Sequence, residues 1–212
     1  MPKIVPIVEG LGEVKALPNL LSKILRAQQC YDIFPDQPLN ANGVGNLTKP
    51  GGIERFVRAA ATRRDCGAIL VLVDADRECA LERPRDFSAR LQSLVHCPIV
   101  IVAAKRMYEN WILASAETLR GQRLDEGTVL SEAIEPRDDV ESYNGKGELK
   151  SWLPEGRAYN EPIDQPTFTQ LLDIELVHQR SRSFRRLWHA LEEAIEAIRT
   201  DTVIVTPQSE KS

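Results

Sequence analysis

The sequence predicts an α/β fold, in which a mostly parallel sheet is flanked by helices and is followed by a mainly helical C-terminal extension. Continuous apolar runs of strand length, such as residues 68–73, are typical of parallel strands that are covered on both faces. Segments with helical periodicity alternate with these runs, which indicates right-handed crossovers. The alternation ends near Gly121. We therefore expect an α/β core over residues 1–120 and a helical lobe over residues 121–212 that packs on it.

The individual elements follow from local patterns of apolar residues. Strands are predicted at residues 4–8, 31–34, 68–73 and 98–103, and a loop rich in Pro, Asn and Gly at residues 36–52. Helices are predicted at residues 14–25, 53–64, 87–95, from about 111 to 119 and at 168–176, and a last one after the candidate N-caps Ser181 and Ser183. Gln208–Ser212 reads as a frayed tail.

Two prolines fall inside predicted elements. Pro6 lies in the first strand and removes one backbone N–H, which suggests a local break in pairing or a partly open edge. Pro18 lies in the first helical pattern, so the helix is expected to begin late or to bend there.

Size and composition exclude several classes of protein. The chain has 212 residues, a net charge of −4 and four cysteines without a CxxC pair. A disulfide framework and a generally basic nucleic-acid-binding surface are therefore not expected. The longest apolar runs are far shorter than the ~20 residues that a membrane span needs. The N-terminus also lacks the layout of a signal peptide, so a cytoplasmic protein is predicted.

Acidic residues follow the first strand and the strand at residues 68–73. Glu9 ends the run Ile4–Val8, and Asp74 and Asp76 end the run Ala68–Val73. Open α/β sheets place their sites at the carboxyl ends of the strands, so these carboxylates can converge if the strands are neighbours. Asp74 and Asp76 point the same way if the strand persists that far. Hard oxygen ligands of this kind favour Mg²⁺ or Mn²⁺.

Each of the remaining candidate site residues has both a functional and a structural interpretation. Glu13 and Glu78 are additional metal-ligand candidates, although Glu13 also suits the first turn of a helix and Glu78 can be plain surface charge. Glu109 can face the site or pair with Lys105 or Arg106. Lys146 and Lys150 can neutralise phosphate charge. They belong to a set of basic residues that can equally form a solvated face, the others being Arg180, Arg182, Arg185 and Arg186.

Three motifs together resemble the TOPRIM (Rossmann-like) domain. They are Val8-Glu9-Gly10-Leu11-Gly12-Glu13, Asp74-Ala75-Asp76 and Tyr108-Glu109-Asn110-Trp111. Their order and spacing, with the later Lys146-Gly-Glu-Leu-Lys150 and Ser181-x-Ser183-Phe184 segments, are similar to an uncharacterised bacterial TOPRIM-like family related to the OLD-family nucleases. The resemblance implies that Asp74 and Asp76 bind metal and that Glu9 binds metal or acts as a general acid or base.

The resemblance also implies a function. We expect a Mg²⁺-dependent (or Mn²⁺-dependent) nuclease that cleaves phosphodiester bonds in nucleic acid, with DNA as the first expectation, and that works with an ABC-class ATPase in anti-phage defence. A homodimer is compatible with this expectation. The alternatives are a non-catalytic adaptor or regulatory subunit of an ATPase complex that keeps the TOPRIM scaffold, or a metal-dependent enzyme that acts on a small phosphate compound.

Overall fold

The computed structural model describes residues 1–207 and contains a six-stranded, all-parallel sheet, which confirms the predicted α/β fold class. The five-strand path is β2-β1-β4-β5-β6, and β3 also pairs with β1. The predicted tail, Gln208–Ser212, lies outside the described residues. The strands are Lys3–Val8 (β1), Phe34–Pro35 (β2), Leu39–Asn40 (β3), Cys66–Asp74 (β4), Ile99–Ala104 (β5) and Val205–Thr206 (β6).

Helices cover both faces of the sheet. Within residues 1–207, none of them is both long enough and apolar enough to cross a membrane. The α-helices are Leu11–Ala27 (α1), Gly45–Thr48 (α2), Gly52–Ala61 (α3), Glu82–Leu91 (α4), Glu109–Leu113 (α5), Gly145–Trp152 (α6), Glu161–Leu171 (α7), Ile174–Arg180 (α8) and Arg182–Arg199 (α9). Short 3₁₀ helices occupy Ala116–Leu119 and Val140–Ser142.

Pro6 is accommodated by an interruption beside β1, as the sequence predicted. Ile4 and Val8 present their carbonyl groups to the β2 and β3 side, where they accept hydrogen bonds from the N–H groups of Asp36 and Ala41. Successive residues of a strand direct their backbone groups to opposite sides, so the missing N–H of Pro6 also faces that side. β2 pairs only with Lys3 and Ile4, and β3 only with Ile7 and Val8. The gap between β2 and β3 therefore falls where Pro6 has nothing to donate.

Several predicted boundaries are wrong. α1 begins at Leu11 and runs through Pro18, so the helix does not begin late. The helix predicted at residues 87–95 is α4, which begins at Glu82. The loop predicted at residues 36–52 also contains β3 and α2.

The helix predicted at residues 168–176 is divided between α7 and α8. The backbone of Leu172 is extended, and Asp173 begins α8 by accepting hydrogen bonds from the N–H groups of Glu175 and Leu176. Of the two candidate N-caps of the last helix, Ser181 is the one used, because its Oγ accepts a hydrogen bond from the N–H of Phe184 at 3.0 Å.

The C-terminal region and α1 together form one of the two layers that cover the sheet. Ile4 and Val8 face a core that includes Phe168 from α7 and Leu187 from α9. Val5 and Ile7, on the opposite face, pack against α3 and α4. α1 packs against α7, and α9 packs against β5. The residues on either side of position 120 therefore share one apolar core.

Because that core is shared, we expect the whole chain to unfold in one cooperative transition. Leu187→Ala removes a fully buried side chain and should cost about 2–5 kcal/mol of unfolding free energy. Leu11→Ala is the matched control, since Leu11 is 57% exposed, and should cost less than about 0.5–1 kcal/mol. Urea unfolding followed by circular dichroism tests this. A second transition assigned to residues 121–207 would contradict the shared core.

Candidate active site

Glu9 and Asp74 meet at the carboxyl ends of two neighbouring strands. Glu9 directly follows β1, and Asp74 is the last residue of β4. Glu9 Oε1 accepts a hydrogen bond from the backbone N–H of Asp74 at 2.8 Å. Asp74 Oδ1 in turn accepts one from the N–H of Tyr108 at 2.9 Å. One oxygen of each carboxylate is thereby fixed by a backbone amide, which sets the orientation of both side chains.

Asp76 does not join this pair in the way that strand periodicity suggested. β4 ends at Asp74, and the backbone of Asp76 is left-handed with φ of 50°. The N–H of Asp76 donates to the carbonyl oxygen of Arg106, and its side chain is exposed. The alternation of side chains applies only while a strand stays extended, so the condition on which the prediction for Asp76 depended is not met. Asp76 is still close enough to contribute to the raised pKa of Glu9.

Glu13 is buried in the first turn of α1. Its Oε2 accepts a hydrogen bond from the N–H of Gly10 at 3.1 Å, which is the helix-capping role that the sequence left open. Burial raises the pKa of Glu13, and the nearby carboxylate of Glu161 raises it further. Glu13 therefore adds negative charge beside Glu9 and Asp74, while one of its oxygens is already occupied.

Glu109 lies fully buried at the start of α5. Its Oε1 accepts hydrogen bonds from the Tyr159 hydroxyl at 3.0 Å and from Gln165 Nε2 at 3.3 Å. Its Oε2 has no hydrogen-bond partner within residues 1–207. Pairing with Lys105 or Arg106, the structural alternative, is wrong, because those side chains donate to the carbonyl oxygens of Glu78 and Ser142.

Glu78 acts on the site through Arg83. Its exposed carboxylate forms an ion pair with Arg83 at 2.7 Å. The Arg83 guanidinium also donates to the backbone carbonyl oxygen of Asp74. Arg83 opposes the rise in the pKa of Glu9. The sequence analysis missed Arg83, which lies in α4 and gave no signal beyond its charge.

Lys146 brings a positive charge from the C-terminal region to these acids. Its Nζ lies 2.7 Å from Glu161 Oε2. Burial opposes its charge, but the carboxylates of Glu109 and Glu161 outweigh that effect and raise the pKa of Lys146. Lys150, one turn later in α6, is exposed and contacts none of the acids. Of the two candidate lysines, only Lys146 therefore lies beside the acids.

α7 supplies residues that the sequence did not single out. Glu161 and Gln165 lie on the side of α7 that faces α1, where Gly12 permits close approach. A Cβ at Gly12 would lie 2.4 Å from Gln165 Oε1. The second glycine of the Glu-Gly-Leu-Gly motif thus has a packing role. Only the folded chain could reveal this, since Gly12 and Glu161 are 149 positions apart in sequence.

Burial and the neighbouring carboxylates disfavour the ionised forms of these acids. Burial raises the pKa of Asp74 well above its usual range, and Glu109, Glu13 and Glu9 raise it further. Burial likewise raises the pKa of Glu9, against the hydrogen bond from Asp74 N–H. Burial raises the pKa of Glu109 to about 7. Carboxylates that are held together in this way favour a bound cation or a proton.

The donor set fits a magnesium ion that is held by two carboxylates. Within residues 1–207, no three His, Cys, Asp or Glu side chains are arranged as a ready-made metal cage. Mg²⁺, however, commonly uses one or two carboxylates and completes its shell with water and substrate phosphates. Glu9 Oε2 and Asp74 Oδ2 accept no hydrogen bond from any described residue. These two oxygens are hard donors on adjacent strand ends, so the pair suits such an ion.

The buried acid Glu109 predicts a measurable pH dependence of stability. Its pKa rises from a usual value of 4.5 to about 7 on folding, so its protonated form is favoured in the folded protein. Stability is therefore retained below pH 4.5 and lost as the pH rises toward 7. In EDTA, Glu109→Gln should gain unfolding free energy over the wild type across that range, reaching on the order of 3 kcal/mol at pH 8. A difference that does not change with pH would contradict the assignment.

The two lysines of α6 provide a matched pair of variants. Lys146→Gln removes the cation next to Glu161 and Glu109, and we expect it to lower the unfolding free energy at pH 8 by roughly 1 kcal/mol. Lys150→Gln removes an exposed charge and should stay within about 0.5 kcal/mol of the wild type. Thermal melts of the three proteins test this. Equal effects of the two substitutions on the unfolding free energy would show that the charge of Lys146 does not offset that of the neighbouring acids.

Comparison with known proteins places the chain in a family without assigning an activity. A family model described as a domain of unknown function, DUF4276, matches residues 8–192. No curated protein and no solved structure matches the chain. The matched range includes every acidic candidate from Glu9 to Glu161. Because the match spans most of its length, the chain belongs to the DUF4276 family.

Proposed function

We propose that this protein is a Mg²⁺-dependent (or Mn²⁺-dependent) phosphodiesterase of the TOPRIM type that cleaves nucleic acid, with DNA as the expected substrate. The observation that carries the proposal is the hydrogen bond between Glu9 Oε1 and the N–H of Asp74 at the adjoining ends of β1 and β4. It holds two carboxylates side by side and leaves an oxygen of each without a protein donor. The raised pKa values of both acids support the same conclusion.

Each residue has a role that follows from its position. Glu9 and Asp74 would hold the ion, which supplies Lewis acidity toward a phosphodiester oxygen. Glu9 also suits the general base, because burial raises its pKa toward the working range and its orientation is fixed. Arg83 and Lys146 lie beside the acids and would neutralise charge that develops on the phosphate. Asp76, at the exposed rim, would add to the attraction of the cation rather than bind it directly.

The resemblance that suggested the nuclease also suggests its setting. An ABC-class ATPase partner, a role in anti-phage defence, assembly as a homodimer and a cytoplasmic location all belong to this proposal. The competing functions are a non-catalytic adaptor subunit and an enzyme that acts on a small phosphate compound. Both predict that plasmid DNA stays intact in the presence of the divalent ion.

The decisive variant replaces both acids without changing their size. We expect the wild type to cleave plasmid DNA with Mg²⁺ or Mn²⁺ and to stop in EDTA. Glu9→Gln/Asp74→Asn should lower the rate by roughly 100-fold or more, because the ion loses both protein ligands. Gel electrophoresis of the plasmid over time measures the rate.

The control is Glu155→Gln/Asp138→Asn, which makes the same chemical change at two exposed positions away from the site. It should cleave at the wild-type rate. Cleavage by the Glu9→Gln/Asp74→Asn protein at the wild-type rate would remove the catalytic assignment. No cleavage by any of the proteins, with the expected partner ATPase present, would favour the adaptor or the enzyme that acts on a small phosphate compound.

A further inference from the structure

A cavity lies near the ends of β4 and β5, at the edge of the sheet where Glu9 and Asp74 meet. Its volume is about 350 Å³, at the lower end of the ~300–1,000 Å³ typical of ligand sites. We call it the basic pocket. Its walls include Lys105, Arg182 and Arg186, together with Leu81, Ser183 and Glu141.

The charge of the basic pocket is positive, although the whole chain is acidic. Glu141 is the one carboxylate among the pocket's lining residues, and one of its oxygens is already engaged by hydrogen bonds. Its Oε1 accepts hydrogen bonds from the N–H of Ser183 and from Ser181 Oγ, both at 2.7 Å. These donors belong to the first turn of α9 and its N-cap, so the positive end of that helix satisfies Glu141. The three cationic side chains are left to face a ligand.

The cations of the basic pocket are only lightly engaged by the protein. Arg182 is exposed and has no ion-pair partner within residues 1–207. Arg186 meets Glu193 at 3.4 Å, and both side chains are about one-third exposed. Lys105 donates one hydrogen bond, to the carbonyl oxygen of Glu78 at 2.8 Å. Such exposed cations lose little when an anionic ligand replaces water around them.

A short chain of contacts joins the basic pocket to the carboxylate pair. Lys105 donates to the backbone of Glu78, the Glu78 side chain pairs with Arg83, and Arg83 donates to the carbonyl of Asp74. β4 and β5 are neighbours, and adjacent strands are about 4.8 Å apart. Phosphates of one nucleic-acid strand follow one another about every 3.4 Å along a duplex axis. A strand with one phosphate at Glu9 and Asp74 therefore brings a nearby phosphate within reach of the basic pocket.

The concave surface continues beyond the basic pocket. A second cavity, of about 540 Å³, shares Leu81 and Arg186 with it and extends to Ile204 and Thr206 at β6. Its lining also includes Arg85 and Glu193, and the Glu193 carboxylate pairs with Arg186. Leu81 is 42% exposed and gives the shared wall an apolar surface. A polymer of alternating charged and less polar parts matches this run of cations and apolar surface better than a single small anion.

We propose that the basic pocket binds a backbone phosphate of a nucleic-acid strand, adjoining the phosphate that reacts at Glu9 and Asp74. This inference rests on the proposed phosphodiesterase function and adds to it the path of the substrate. The ligand is a phosphodiester strand held through its charge, with Arg182 and Arg186 on one wall and Lys105 on the other. The proposal concerns binding only and includes no chemical step.

The test is binding in EDTA, where metal-dependent cleavage is stopped. We use a fluorescein-labelled single-stranded 20-mer DNA and measure anisotropy at several salt concentrations. Arg182→Gln/Arg186→Gln should weaken binding about 10-fold or more and make the salt dependence shallower by about 0.7 in log–log slope, which corresponds to one lost phosphate contact. Lys105→Gln, on the opposite wall, should weaken binding in the same direction.

The matched control is Arg63→Gln/Arg64→Gln, which removes the same charge from exposed residues just before β4, at the opposite edge of the sheet. Its affinity should stay within about twofold of the wild type. Equal weakening by both double variants would mean that only overall charge matters, and it would overturn the proposal. Failure of the wild type to bind the 20-mer would overturn it as well.

Two further measurements distinguish a nucleic-acid strand from a free phosphate as the ligand, and the binding proposal from the catalytic one. Competition by dTMP or inorganic phosphate as effective as that by an unlabelled 20-mer would show a site for a free phosphate group, and it would overturn the strand assignment. Binding that depends on Arg182 and Arg186, combined with cleavage that survives Glu9→Gln/Asp74→Asn, would remove the catalytic site and leave the basic pocket. Binding that does not depend on Arg182 and Arg186, combined with cleavage that is lost in Glu9→Gln/Asp74→Asn, would overturn the pocket assignment and leave the catalytic site.

Discussion

Burial of the carboxylates at the ends of β1 and β4 is the constraint around which this structure is arranged. Glu9 and Asp74 approach closely because their strands are neighbours in a parallel sheet. Backbone N–H groups compensate one oxygen of each, and Arg83 and Lys146 supply the nearest positive charges. Burial, and after it the neighbouring carboxylates, raise the pKa values of Glu9 and Asp74, so this compensation is incomplete. A bound divalent cation would stabilise the ionised forms that burial disfavours, which is the physical basis for proposing one there.

The same constraint ties the C-terminal region to the α/β core. Lys146 from α6 and Glu161 and Gln165 from α7 all reach the acids, and Gly12 allows α7 to lie against α1. The apolar core that α7 and α9 complete is therefore also the scaffold of the site. A protein reduced to its first 120 residues would lose both the covering layer and the nearby ammonium group.

The sequence predicted those features that depend on local pattern. The apolar run at residues 68–73, the acid after each of two strands and the Ser181 cap are local features, and the structure contains all three. The break beside Pro6 was also predicted, because a missing N–H has the same consequence in any sheet. Asp76 was misplaced because the prediction assumed an extended strand beyond Asp74, whereas the backbone turns there.

Features that depend on contacts between distant segments could not be predicted in this way. Nothing near Glu109 in sequence indicates Tyr159 and Gln165 as its partners, and Arg83 looked like ordinary helix charge. The basic pocket has the same origin, since Lys105 follows β5 and Arg182 begins α9. Both of its arginines, Arg182 and Arg186, were visible in the sequence as part of a basic cluster, but their position beside the acidic edge required the fold.

The central claim is that Glu9 and Asp74 together hold one divalent ion. Electron paramagnetic resonance of Mn²⁺ titrated into the metal-free protein counts bound ions without any need for substrate or partner. The account predicts one saturable Mn²⁺ site per chain in the wild type and in Glu155→Gln/Asp138→Asn, and loss of that site in Glu9→Gln/Asp74→Asn. Saturable binding that is unchanged in Glu9→Gln/Asp74→Asn, or no saturable binding in the wild type, would contradict it.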